Sequence, residues 1–353
     1  MNVAILGFAH AHIGAYLEVW KARPELDMQA VACWDHDAGR LAESAEKHGL
    51  EAVSDLDALL ARADIDVVFI SSETSWHAPL AEKAAAAGKA IGMQKPMAVT
   101  MEQADRIVAA VEAHNVPFTI AWQMRTDPQN IAMRDMLRAG TLGRVAQVRR
   151  RHGLPTHKWG EWFENSWHVQ PELNRDIFAD DCSHPADFIL WLLGMPETVT
   201  AEMTTILNPK IPNDNGIVIF RYPDGGPLVE VACSFTCTAA QSTTEIICEN
   251  GTILQDFGDV PGTKAPRPAD NKGLRWYDAS DDRWHYSDIP SPAIHYERLK
   301  GLAEPLSDFF HGRRPAICDA REGRDSLRMI LACYISNAEG RRVSIDDPAI
   351  PNV

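Results

Sequence analysis

Over the first 120 residues, short fully apolar runs alternate with stretches of helical spacing. Val3–Leu6 is such a run; a glycine turn follows, and then helical spacing over Ile13–Lys21. Ala30–Trp34 ends at Asp35, and Ala38–His48 reads as a helix stopped by Gly49. Ser54 is placed to cap a short helix reaching Ala63. Val67–Ile70 is the third apolar run, an Ala-rich helix occupies 77–87, and Lys89–Met93 is the fourth run. Thr100-Met101-Glu102-Gln103 has the form of a capping box ahead of a helix ending near Asn115, and Phe118–Ala121 makes a fifth strand. Short strands that are apolar throughout must be covered on both faces. The pattern therefore predicts an α/β fold with a parallel sheet between helical layers.

The pattern changes after residue 121. Asp127 and Pro128 open a helix that Gly140 ends. Strand-like runs follow at 144–152, 197–206, 216–222, 227–236 and 243–255, with turns at Asp224-Gly225-Gly226 and Asn250-Gly251. One helix, near 184–193, interrupts them. Meandering strands without intervening helices predict a large, mostly antiparallel open sheet. The Asp-, Pro- and Gly-rich stretch 256–292 reads as a long surface loop, followed by helices near 295–311 and 321–339. The expected division is a domain over 1–121 and a second over 122–353. A length of 353 residues suits two cores better than one. No internal repeat is visible.

Charge and composition narrow the function classes. A net charge of −15 repels phosphate backbones, so nucleic acid is not an expected partner. No apolar run approaches the ~20 residues of a membrane span, and Met1–Gly7 reads as a buried strand rather than a signal peptide. Seven cysteines, odd in number and without a C-x-x-C, fit reduced thiols and a cytoplasmic location.

The candidate chemistry begins at Gly7-Phe8-Ala9-His10-Ala11-His12, between the first strand and the helix opening at Ile13. This is the position of a dinucleotide loop, in which three glycines allow a tight turn, close backbone approach to a pyrophosphate, and helix–strand packing. Only the first is present; Ala9 and His12 stand in place of the others. Asp35, 28 residues after Gly7, is placed to accept hydrogen bonds from both ribose hydroxyls of NAD and to repel the 2′-phosphate of NADP, or to cap the next helix. His10 and His12 form an H-x-H pair, but no further His/Cys cluster completes a metal site, so no metal is expected.

Gln94-Lys95-Pro96, just after the fourth strand, resembles the Glu-Lys-Pro signature of Gfo/Idh/MocA oxidoreductases. Ser71-Ser72-Glu73-Thr74-Ser75-Trp76-His77 resembles that family's loop after the third strand. Arg125 to Gly143 resembles its interdomain segment. Asp180-Asp181-Cys182-Ser183-His184-Pro185-Ala186-Asp187 with Trp191-Leu192-Leu193-Gly194 resembles its D-x-G-x-H-x-x-D…W-L-x-G stretch, and Ser336 to Val343 resembles its last helix and strand. The resemblance implies a Rossmann domain, a C-terminal domain with a large open sheet, and NAD(P)-dependent oxidation of a secondary hydroxyl on a sugar, polyol or cyclitol. It places Lys95, Asp180 and His184 at the catalytic positions. The residue types suit that chemistry: a histidine base, a carboxylate to orient it, and a lysine to stabilise alkoxide charge. Gly7, Phe8, Ala9, His12, Ile13, Asp35, Ser71, Ser72, Thr74, His77, Gln94 and Lys95 are the candidate cofactor contacts. Asp180 and His184 are four apart, but Pro185 favours a helix beginning at Cys182 or Ser183, with Asp180 just before it. Gln94 replaces the family's glutamate, Asn174-Arg175-Asp176 stands where glycines are common, and Cys182 stands in place of glycine.

His157, Trp159, Trp162, Trp167 and His168 form an aromatic run that can stack on the C–H faces of a sugar, or equally fill space within the protein. His157, Trp159 and Trp167 of this run, with Gln123 and Arg125, complete the candidate substrate contacts, alongside Lys95, Asp180 and His184. Two other functions stay open: a lyase or glycoside-cleaving enzyme that uses bound NAD through a transient ketone, and a non-catalytic sugar sensor. The apolar face expected on the large sheet predicts a homodimer or homotetramer.

Overall fold

The computed structural model describes residues 1–239, 243–256, 265–267, 269 and 271–353. Its contacts divide the chain into two compact units. The first is Met1–Gln123 with Pro171–Asn174 and Leu299–Leu327; the second is Met124–Gln170 with Arg175–Arg298 and Arg328–Val353.

The first unit begins β1 (Asn2–Leu6), α1 (Ile13–Ala22), β2 (Gln29–Trp34), α2 (Ala38–His48), β3 (Glu51–Ala52), α3 (Leu56–Leu60), β4 (Val67–Ile70), α4 (His77–Ala86), β5 (Ala90–Met93), α5 (Met101–His114) and β6 (Phe118–Ile120). The sheet order is β3-β2-β1-β4-β5-β6, parallel throughout. Val3–Leu6 and Val67–Ile70 are buried on both faces, as a sheet between two helical layers demands. The helix starts follow local hydrogen bonding. Asp37 Oδ1 accepts from Arg40 N at 2.9 Å, and Thr100 Oγ1 accepts from Gln103 N at 3.2 Å. Before α3 the cap is Asp55, which accepts from Asp57 N and Ala58 N, and not the expected Ser54. A carboxylate one residue nearer the helix serves both amides, and the helix ends at Leu60.

The chain continues through α6 (Pro128–Ala139), β7 (Val145–Gly153), α7 (Glu161–Glu164), α8 (Pro171–Asn174), α9 (Ile177–Asp181), α10 (Ser183–Leu193), β8 (Thr198–Thr204), β9 (Asn215–Arg221), β10 (Leu228–Ser234), β11 (Thr243–Cys248), β12 (Gly251–Gln255), β13 (Leu274–Asp278), β14 (Arg283–Tyr286), α11 (His295–Lys300), α12 (Ala303–Phe310), α13 (Ala320–Glu339) and β15 (Val343–Ser344). A nine-stranded sheet runs β14-β13-β12-β11-β7-β10-β9-β8-β15. Its pairs are antiparallel except β7 with β10. Alternate residues of β8, β9 and β10 are buried, so one face packs on the unit's own core.

Two expectations are corrected in this half. The stretch 256–292 contains β13 and β14; residues 257–264, 268 and 270 of it lie outside the described residues. The Asp/Pro/Gly composition masked two short aromatic strands, β13 pairing with β12 and β14 with β13, a tertiary choice. The single helix read over 295–311 is two, α11 and α12.

The compact units cut across the linear division expected after residue 121. Leu299–Leu327 belongs with the first unit. Trp20 Nε1 donates to the Ala303 carbonyl at 3.0 Å. Ile120 N donates to the Cys318 carbonyl at 2.9 Å, and Ile317 N to Thr119 Oγ1 at 2.9 Å, so late residues seal the edge strand β6. Burial of a helical face, which decides such membership, is invisible in a linear boundary.

Candidate active site

The loop after β1 is built around Gly7. Its φ is +87°, and a Cβ there would lie 2.6 Å from Ser72 Cα and 2.8 Å from Ser72 N. No side chain fits, so the first glycine of the motif is fixed both by backbone conformation and by the approach of the β4 loop. That loop is tied on: His10 N donates to the Ser71 carbonyl and Ser71 Oγ to the His10 carbonyl, each at 2.9 Å. Where the second and third glycines are missing, Ala9 is half-buried and His12 stands at the N-cap of α1 with its ring edge-on to His10, centroids 4.2 Å apart. Ile13 is buried as the first residue of α1. The Phe8 ring stacks on His48 at 5.9 Å.

Asp35 is committed to four donors. Oδ2 accepts from Phe8 N at 2.8 Å and Arg40 Nε at 2.7 Å; Oδ1 accepts from Asp37 N at 2.9 Å and Arg40 Nη2 at 2.8 Å. A carboxylate offers about four lone-pair sites. All four are engaged, so the open acceptor edge expected for two ribose hydroxyls is covered by Arg40. The helix cap is Asp37, not Asp35. Arg40 Nη1 also pairs with Glu73 Oε1 at 2.9 Å, and His36 lies 3.7 Å from Glu73 Oε2 and 4.7 Å from the Trp76 ring. Sequence reading missed Arg40, His36 and Glu73. The signal was there: a cation one turn into the helix after an acidic strand end.

Other candidates serve the loops themselves. Thr74 Oγ1 donates to Asn174 Oδ1 at 2.5 Å, and Ser72 Oγ donates to the Glu73 carbonyl. His77 is fully buried, with Nδ1 3.2 Å from the Met97 carbonyl and Nε2 3.3 Å from the Ser72 carbonyl. Burial pushes its pKa down to about 4, so it is neutral. Gln94, where the family carries glutamate, donates from Nε2 to the Tyr16 hydroxyl at 3.1 Å. Its Oε1 is buried with no hydrogen-bond partner among the described residues. Lys95 follows, buried, at the carboxyl end of β5. Gln123, buried, closes the segment after β6.

A dinucleotide fits the first unit on two of these observations. The Gly7 cradle admits backbone to close approach, and Gln94 Oε1 is an unsatisfied buried acceptor suited to an amide N–H.

In the second unit, α9 and α10 carry the catalytic candidates. Asp176 caps α9 through Ala179 N at 2.9 Å, and Cys182 links the two helices in helical conformation. Asp180 thus lies inside α9 rather than before a helix, and its carbonyl accepts from Ser183 Oγ at 2.5 Å. The carboxylate set against His184 is the next one along: Asp181 Oδ1 is 3.6 Å from His184 Nε2, and Asp181 Oδ2 is 2.8 Å from His152 Nε2 on β7. Burial pushes the Cys182 thiol up, making it an inert filler. Arg125 is bidentate to Asp187, Nε to Oδ2 at 2.9 Å and Nη2 to Oδ1 at 2.8 Å, so its guanidinium is held by the protein.

The aromatic run gathers on Phe163. Trp159 meets it edge-on at 5.0 Å, while Trp162 and His168 lie tilted against it at 5.9 and 5.6 Å; Trp167 stacks on His168 at 3.9 Å. Trp162 is 68% exposed, while His157 is half-buried in a turn over Thr156–Lys158. Among the described residues, no group of three or more His, Cys, Asp or Glu is placed to hold a metal ion, and no helix is long and apolar enough to cross a membrane. All seven cysteines are free thiols.

Comparison with known proteins bears on both units. A model of the oxidoreductase family's NAD-binding Rossmann fold matches residues 1–121, and a Gfo/Idh/MocA C-terminal domain matches 131–254. D-apiose dehydrogenase of Paraburkholderia graminis is 27% identical, over 96% of this chain and 87% of that protein. Inositol 2-dehydrogenase of Rhizobium meliloti is 30% identical over 52% of this chain and 54% of that protein. The solved structure of levoglucosan dehydrogenase with NADH and levoglucosan has a TM-score of 0.82, covering 98% of this chain and 100% of that one at 21% identity, a likeness of fold. With both domain models matched in order along the chain, this protein belongs to the Gfo/Idh/MocA family of NAD-binding oxidoreductases.

Proposed function

We propose that this chain oxidises a secondary hydroxyl of a sugar, polyol or cyclitol, or reduces the corresponding ketone, with NAD as hydride carrier. The observation that carries the reading is the Gly7 cradle, closed to any side chain and tied to the β4 loop, in a chain that retains Lys95, Asp180 and His184. Bound NAD supplies the acceptor for the hydride. In the roles the family resemblance implies, His184 takes the hydroxyl proton as the C–H electrons leave and Lys95 stabilises the developing negative charge on oxygen, with Asp180 at the family's third catalytic position. The named activities of the relatives, on D-apiose and inositol, point to the same substrate class.

The charges at the end of β2 favour NAD over NADP. Two carboxylates, Asp35 and Glu73, surround the single guanidinium of Arg40, and that excess of negative charge disfavours a 2′-phosphate. Free thiols fit a cytoplasmic setting. Ile217 and Leu228, exposed on β9 and β10, support a homodimer or homotetramer, which light scattering on the purified chain would show.

The test is NADH formation, followed by absorbance, across D-apiose, myo-inositol and levoglucosan. Turnover with at least one is expected, together with its loss in His184→Asn. Product formed without net NADH would instead favour the lyase reading. Binding of a sugar without any reaction would favour the sensor.

A further inference from the structure

We infer that Asp181, held in place by His152, is the carboxylate that orients the His184 imidazole and stabilises its protonated form. The inference rests on the reading of His184 as the base, and adds two positioning residues to it. Each oxygen of Asp181 faces a different histidine: Oδ2 lies 2.8 Å from His152 Nε2, and Oδ1 lies 3.6 Å from His184 Nε2. The two rings are 5.9 Å apart, tilted by 37°. An ionised carboxylate only accepts, so His152 donates its Nε2–H to it. That bond fixes the rotation of the carboxylate and leaves Oδ1 turned towards His184. All three side chains are buried, where a charge acts more strongly than in water.

The supports are rigid. His152 sits on β7, which is hydrogen-bonded to β10 on one side and β11 on the other. Asp181 ends α9, one residue from the start of α10, where His184 lies in the first turn. When His184 takes a proton, the imidazolium forms beside a fixed anion. This is the same logic by which a buried aspartate supports a catalytic histidine elsewhere. The ionisable side chains that these contacts set against the imidazole are Asp181 from α9 and His152 from β7.

His152 also lines a cavity of about 390 Å³ together with Asn215, Cys233 and Ser234, all of the second unit. A small molecule the size of imidazole can therefore reach the place of a deleted His152 side chain.

The experiment is histidine-resolved NMR titration of the full chain without substrate, comparing wild type with Asp181→Asn, His152→Ala, His152→Gln and Asp180→Asn. The His184 midpoint is expected to fall by about one pH unit or more in Asp181→Asn. In His152→Ala it should fall by less and recover on adding free imidazole. His152→Gln, whose amide still donates to the carboxylate, should stay close to wild type. An unchanged midpoint in Asp181→Asn, or a larger fall in Asp180→Asn, overturns the inference. In turnover with levoglucosan as the probe, His152→Ala should lower kcat by about 10-fold at unchanged KM. The titration needs no turnover, so its failure is distinct from a polyol panel that yields no NADH.

Discussion

Two bidentate arginine–carboxylate pairs, of nearly equal geometry, lie in different surroundings. Arg40 grips Asp35 with contacts of 2.7 and 2.8 Å, and Arg125 grips Asp187 with contacts of 2.9 and 2.8 Å. The Arg125 pair is shut in, its side chains 2% and 0% exposed. The Arg40 guanidinium is 26% exposed and is shared with a second carboxylate, Glu73. Distance alone would rank the pairs together. The arginines separate them, since both carboxylates are 0% exposed: Arg125 is a shut-in brace, while the exposed edge of Arg40 can trade partners with water or a ligand.

The largest expected effect tests the brace. Arg125→Ala leaves Asp187 buried without its cation and should cost about 3–5 kcal/mol of stability, read by chemical denaturation. A loss under about 1 kcal/mol would erase the distinction between the two pairs.

His77 sharpens the same rule from the other side, since it is buried against two carbonyls rather than a carboxylate. It gives up its proton, with a pKa lowered from 6.5 to about 4 by burial. Above pH 6.5 the folded and unfolded chains both hold it neutral. Between 6.5 and 4 the unfolded chain takes a proton that the folded chain refuses, so stability falls as pH falls, by up to about 3 kcal/mol. Denaturation midpoints across that window should drop in wild type and drop less in His77→Gln.

Arg40→Leu should cost less, about 1–2 kcal/mol, because the buried Asp35 carboxylate keeps the Phe8 and Asp37 amide donors. Its effect should be on ligand choice. Removing the cation frees two acceptor positions on Asp35 and leaves the site more negative. The ratio of NAD to NADP affinity, measured by calorimetry, should then rise by about 10-fold, equivalent to ~1.4 kcal/mol. A shift towards NADP would show that Arg40 is not the element that decides. The smallest effect belongs to Asp37→Ala, which removes the cap of α2 next to this pair and should cost about 1 kcal/mol.

The first unit was the more legible. Apolar runs such as Val67–Ile70 and stops such as Gly49 follow local rules, and the strands formed close to where the pattern put them. Side-chain commitments were not legible. Asp35 reads as a ribose acceptor by spacing, yet two of its lone pairs are taken by a residue five positions on and the others by the Phe8 and Asp37 amides. Arg125 reads as a substrate contact, yet its partner is 62 residues away. His152 lay unnoticed because a polar residue on the buried face of a strand declares a network without naming its members. Asp181 was hidden beside Asp180, which carries the motif.

The segment that seals β6 bears on how the chain comes into being. Leu299–Leu327 supplies the Cys318 carbonyl to Ile120 and the Ala303 carbonyl to Trp20. A chain emerging from the ribosome completes its amino-terminal body only when its last helix is being made. Until then an apolar strand edge stands bare, and a fragment stopped at residue 123 would be prone to clump rather than to serve as a portable nucleotide-binding module.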